Sequence, residues 1–157
     1  MDHQHYLELA LDEAFAGMQA NHGGPFGAII VSADGDIIGR GHNRVIAAND
    51  PTAHAEVTAI REACQRVGNF HLEGATLYTS CEPCPMCLSA IYWAHIKAVY
   101  YGADRHDAAR IGFADKFIYD ELEKPPAARA IHFECIHIPR ADALMAAWVA
   151  KSDKTPY

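Results

Sequence analysis

At 157 residues the chain has the length of one ordinary domain and, with 50% hydrophobic residues, enough apolar side chain to bury a core of its own. A net charge of −7 with scattered lysines and arginines argues against a nucleic-acid partner, because polyanion binding draws much of its affinity from a basic face. Five unevenly spaced cysteines argue against a disulfide framework and for a reducing cytoplasm, and no apolar run approaches the ~20 residues of a membrane span.

Along the chain, Leu7, Leu11, Ala14, Phe15 and Met18 recur at helical spacing and predict a helix over Tyr6 to Met18. Phe26 to Ser32 is a β-rich run, Asp34-Gly35 is a turn signal, and Ile37-Ile38 opens the returning strand of a hairpin. Val57, Ile60, Cys64 and Val67 again follow a helical period, closed by Gly68. A short strand over Ala75 to Thr79 leads into a helix that starts near Pro85 and runs to Ala94, and Lys97 to Tyr101 is the next strand. The alternation of Ile131 to Ile138 predicts a fifth strand, Arg140 to Lys151 a last amphipathic helix, and Cys64 and Cys135 read as core residues. This order implies an α/β fold, a three-layer α/β/α sandwich with a mixed central sheet of about five strands, as a single domain over 1–157.

The chemistry concentrates in two short motifs. His54-Ala55-Glu56 is followed by Pro83-Cys84-Pro85-Met86-Cys87, each placed where a helix should begin. One imidazole and two thiolates (His54, Cys84, Cys87) suit zinc, and three protein ligands leave a fourth position for water. Cys84 and Cys87 are three apart and face one way on a helical turn, and Pro85 suits a first helical position. Glu56, two residues from His54, is placed to serve as the proton shuttle beside the metal. Taken together the motifs match the zinc deaminase signature H-x-E followed by P-C-x-x-C. Cys81 also forms a C-x-x-C with Cys84 and reads as a bystander.

With these residues in view the chain resembles the cytidine deaminase superfamily and, within it, the bacterial guanine deaminases. The resemblance rests on Gly24-Pro25-Phe26-Gly27-Ala28, on the stretches around His54 and Cys84, and on Gly112-Phe113-Ala114-Asp115-Lys116-Phe117-Ile118-Tyr119. That last block, G-F-x-D-x-F-I-Y, looks like the guanine-specific branch. The resemblance implies hydrolytic deamination of guanine, zinc on His54, Cys84 and Cys87, and Glu56 as shuttle. It further implies Asn43 as a base-reading amide, Phe26 and Trp93 as walls on which a base stacks, and Asp115 as the acceptor for the paired N–H groups of guanine. A homodimer with an exchanged C-terminal segment is also implied, in which Asp115 could act in trans and Tyr157 as a lid. A nucleoside deaminase acting on guanosine, a tRNA adenosine deaminase and a structural zinc module are the competing readings.

Overall fold

The computed structural model describes residues 2–157, and the chain divides after Tyr119 into two compact units. The first contains β1 (Gly27–Val31), β2 (Ile37–His42), β3 (Thr76–Cys81) and β4 (Ala98–Ala103), in the spatial order β2-β1-β3-β4. β1 runs antiparallel to β2 and β3, whereas β3 and β4 are parallel. A parallel pair needs a crossover, and α4 (Pro85–Trp93) supplies it.

All five residues of β1 are buried, because its two faces serve two cores. Ile29 and Val31 meet Tyr78 and Ala10 of α1 (His3–Gln19) on one side. Ala28, Ile30 and Leu77 meet Ala55, Ala59 and Ala63 of α3 (Ala55–Val67), together with Ile91 of α4, on the other. The mixed sheet with helices on both faces agrees with the expected α/β/α layering.

Small residues bring α3 onto β2. A Cβ on Gly41 would lie 2.4 Å from the Ala55 carbonyl oxygen and 2.7 Å from the Ala59 nitrogen, and one on Gly39 would lie 2.4 Å from the Ala59 oxygen. The helix backbone therefore rests directly on the strand, which seats its first turn and the preceding His54. At the far end Gly68 adopts φ +68° and its N–H returns to the Cys64 carbonyl, closing the helix as the sequence predicts.

Three short helices were not expected: α2 (Val45–Ala48), α5 (Arg105–Arg110) and α6 (Asp115–Glu123), although Ile118 and Leu122 of α6 do stand at helical spacing. α6 crosses the division, and the second unit goes on through a 3-10 turn at Pro126–Ala128 to α7 (Pro139–Ala150). Among the described residues the sheet has four strands rather than about five: residues 131–138 are exposed and form no strand. Alternation permits a strand, but only a second extended segment can satisfy its backbone groups, and the remaining elements of this unit are helical. Cys135 is correspondingly exposed rather than core, and Cys64 is half-buried. Among the described residues no helix is long and apolar enough to cross a membrane.

Gly41→Val should lower stability by about 1–3 kcal/mol through overpacking against the α3 backbone, read as a lower urea midpoint. An unchanged midpoint would mean that α3 does not rest on β2 at this distance.

Candidate active site

Two helix starts meet beyond the end of β3. His54 is the N-cap of α3 and Cys84 the N-cap of α4, both with extended backbone, and Pro85 occupies the first turn of α4. The turn that delivers His54 is locked by Asp50, whose Oδ1 accepts from the Thr52 backbone N–H at 2.8 Å and from its hydroxyl at 2.6 Å. His54 Nδ1 lies 3.4 Å from Cys84 Sγ and 3.5 Å from Cys87 Sγ, and the three donor atoms all fall within 4.8 Å of one another. Tetrahedral bonds of the usual lengths, ~2.0 Å to nitrogen and ~2.3 Å to sulfur, separate such donors by about 3.5 Å. The residues present thus fit a metal ion, with Nδ1 as the imidazole donor. Among the described residues no further His, Cys, Asp or Glu joins the group, so a fourth position is left for a non-protein ligand.

The electrostatics favour a cation. Hydrogen bonding from Cys87 and His54 draws the Cys84 thiol down to about 4 against the effect of burial, and the contact with Cys84 raises His54. Cys87 is pushed upward, first by its bond to Cys84 and then by burial. One thiol of the pair ionises readily, and a second thiolate at this spot needs a positive charge between them. The N-terminus of α4 contributes part of it.

His54 and Cys84 line a cleft of about 490 Å³, a size typical of small-molecule sites. Glu56 lies beside the ligands in the first turn of α3, only 6% exposed. Burial raises its carboxyl, while hydrogen bonds, including one from the Thr79 hydroxyl at 3.0 Å, act in the opposite sense. Asp115, at the start of α6, also lines the cleft of its own chain, and burial, followed by the neighbouring Cys84, raises it as well. Asn43 is buried in the wall, and its Oδ1 accepts from the Val45 N–H at 3.1 Å, leaving its NH2 as the end that can read a ligand. Phe26 lines the cleft and meets Phe113 edge-on, with ring centroids 4.7 Å apart.

Two residues named from the sequence lie elsewhere. Trp93 ends α4, 63% exposed and outside the cleft lining, and Tyr157 lies exposed in the second unit. Conversely, Thr79, Glu82 and Phe113 enter the site or its wall without having been singled out as site residues. Thr79 is fully buried in β3 and read only as strand. Glu82 lines the cleft, but three Arg105 N–H groups hold its carboxylate, and these bonds keep it below the usual carboxylate range. Cys81 also lines the cleft; burial pushes its thiol up to about 11, and it donates weakly to the Asp104 carbonyl at 3.6 Å.

The site's geometry agrees with the likeness to known proteins. The family described as the cytidine and deoxycytidylate deaminase zinc-binding region matches residues 1–103. Guanine deaminase of Bacillus subtilis is 51% identical over 157 residues, covering 100% of each chain. An X-ray structure of guanine deaminase from that species matches with a TM-score of 0.96 over 100% of this chain and 99% of the other. A tRNA-specific adenosine deaminase of Agrobacterium fabrum is 48% identical over 99 residues, 63% of this chain and 64% of that protein. The chain belongs to the cytidine and deoxycytidylate deaminase family and is a deaminating enzyme.

Purified protein should carry one metal ion per chain by elemental analysis, and Cys87→Ser should lose most of it. Stripping the metal with a chelator should cost at least about 2–3 kcal/mol of stability, as expected of any ligand present at a hundredfold its Kd. A chain that melts identically with and without chelator would not be held together at this centre.

Proposed function

We propose that this chain is a zinc-dependent guanine deaminase, converting guanine and water to xanthine and ammonia. The observation that carries this reading is identity sustained over the full length: 51% over 157 residues for the B. subtilis guanine deaminase, against 48% over 99 residues or 34% over 152 residues for tRNA-specific adenosine deaminases. The nitrogen and sulfur donors of His54, Cys84 and Cys87 favour zinc over harder cations. When bound, zinc supplies the Lewis acid that makes water nucleophilic near neutral pH.

The protein groups do the rest. Asp115 accepts from the N1–H and exocyclic amine of guanine, a paired donor edge that adenine lacks, and the Asn43 NH2 holds a ring acceptor. Phe26, braced by Phe113, gives the flat base a wall to stack on. Glu56 takes a proton from the attacking water as the C2–O bond forms and the C2–N3 π pair moves to N3, and it delivers that proton to N3. Glu56, a carboxylate again, then takes the proton of the new C2 hydroxyl and passes it to the amine that Asp115 holds, and the C2–amine bond breaks as the C2=O bond forms and ammonia leaves. A buried carboxyl raised above its ordinary range suits such two-way traffic.

The second unit supports a homodimer. Ile131, Ile136, Leu144, Met145 and Val149 are each 65% exposed or more, and α7 buries none of its residues. Such apolar surface needs a cover, and we read it as the face that a second copy completes, in a cytoplasmic enzyme whose C-terminal segment is exchanged. Tyr157 then belongs to the segment that closes over a partner's cleft, and Trp93 to the surface that the partner meets.

An ultraviolet and ammonia-release assay on guanine, guanosine, adenine and folded tRNA should show xanthine from guanine and little deaminated product from the others. Glu56→Gln should retain its metal yet lose at least about 10²-fold in kcat, since the shuttle acts only while protons move. Wild-type turnover in that variant would sink the assignment. Light scattering should give about twice 17.2 kDa, and a monomeric mass would exclude the dimer.

A further inference from the structure

The G-F-A-D-K-F-I-Y segment ends on Tyr119, a residue for which the reaction above has no use. The Tyr119 hydroxyl donates to the Pro83 carbonyl at 2.6 Å, and Pro83 immediately precedes the ligand Cys84. The Arg105 guanidinium lies 3.7 Å from the centroid of the Tyr119 ring. Arg105 is in turn held by Glu82, whose Oε1 accepts from Nε at 3.1 Å and from Nη2 at 2.8 Å, while Oε2 accepts from the Arg105 backbone N–H at 2.9 Å. The Glu82 N–H donates to the Ala103 carbonyl at 2.7 Å. The backbone of residues 82–83 is thus tied to β4 on one side and to α6 on the other.

Asp115 and Tyr119 are four residues apart on α6, so their side chains are neighbours on one face of the helix. A tether at Tyr119 therefore acts on Asp115 through a single helical turn, a lever of about 5.4 Å. At the entry to α6, Phe113 packs on Phe26 and gives the helix a second hold. Burial raises the Tyr119 phenol, which keeps it a hydrogen-bond donor.

We propose that Tyr119, braced by Arg105 and Glu82, is a positioning residue that sets Asp115 against the ligand turn of the same chain. The proposal rests on the reading of Asp115 as the carboxylate that meets the purine. It also gives Glu82, the third carboxylate of the cleft, an orienting task in place of acid/base work.

Tyr119→Phe removes the hydroxyl and keeps the ring under Arg105. In the zinc-loaded dimer or monomer, whichever form the protein adopts, backbone amide exchange over residues 113–119 should quicken by about tenfold. Guanine kcat should fall by about tenfold to a hundredfold with KM changed by less than about threefold and metal content intact, the scale expected of a displaced group. In an Asp115→Asn background the same change should cost less than about twofold, because the group being positioned is gone. Arg105→Lys, which loses the planar fork, should show a weaker version of the same pattern. Unchanged exchange in Tyr119→Phe overturns the tether. Faster exchange with unchanged kcat, or an equal loss with Asp115 already replaced, overturns the positioning role. An unmutated protein that leaves guanine untouched overturns the substrate reading instead, and the exchange measurement then decides the tether alone.

Discussion

The constraint on which the rest depends is charge. Three thiols and three carboxyl groups, Cys81, Cys84, Cys87, Glu56, Glu82 and Asp115, gather in or beside one partly buried cleft. Ionising all of them there without compensation would be prohibitive. The structure handles each differently. Glu82 is neutralised by Arg105, Cys84 and Cys87 sit at the start of α4 where a dication can join them, and burial pushes Cys81, Glu56 and Asp115 toward the protonated form. A carboxyl raised in this way takes up a proton more readily than one in water.

The geometry that permits this arrangement comes from small residues rather than from the polar ones. Gly39 and Gly41 let the alanine face of α3 rest on β2, so that His54 and Glu56 enter from a rigid helix instead of a loop. The crossover through α4 leaves from the end of β3, which carries Cys81, and delivers Cys84 and Cys87 to the same place. Both starting turns direct backbone N–H groups at the donor cluster, so the scaffold contributes positive potential as well as position.

The comparison between pattern and fold is instructive at particular residues. The hairpin, α1, α3, α4 and α7 follow from periodicity and turn chemistry: α1, α3 and α4 bury a face, and α7 opens on Pro139, a residue suited to a first helical position. α5 and α6 are short and were not expected: α5 is held by a capping box between Asp104 and Asp107, and α6 by the Tyr119 bond to Pro83 and the packing of Phe113 at its entry, although Ile118 and Leu122 do stand at helical spacing in α6. Residues 131–138 err in the other direction, since alternation describes a face and says nothing about whether a neighbouring strand exists to pair with it.

The sequence by itself grouped His54, Cys84 and Cys87 as one donor set with Glu56 beside it, because spacing within a helical turn decides which short-range side chains face the same way. It also determined the layered α/β class, because apolar period and turn residues are local properties. Only the tertiary structure decided that Glu82 is engaged by Arg105, that Thr79 donates to Glu56 from the adjacent strand, and that Asp115 lines the cleft of its own chain while Trp93 does not. These are relations between elements tens of residues apart, set by how helices seat on a sheet, and no local pattern encodes them.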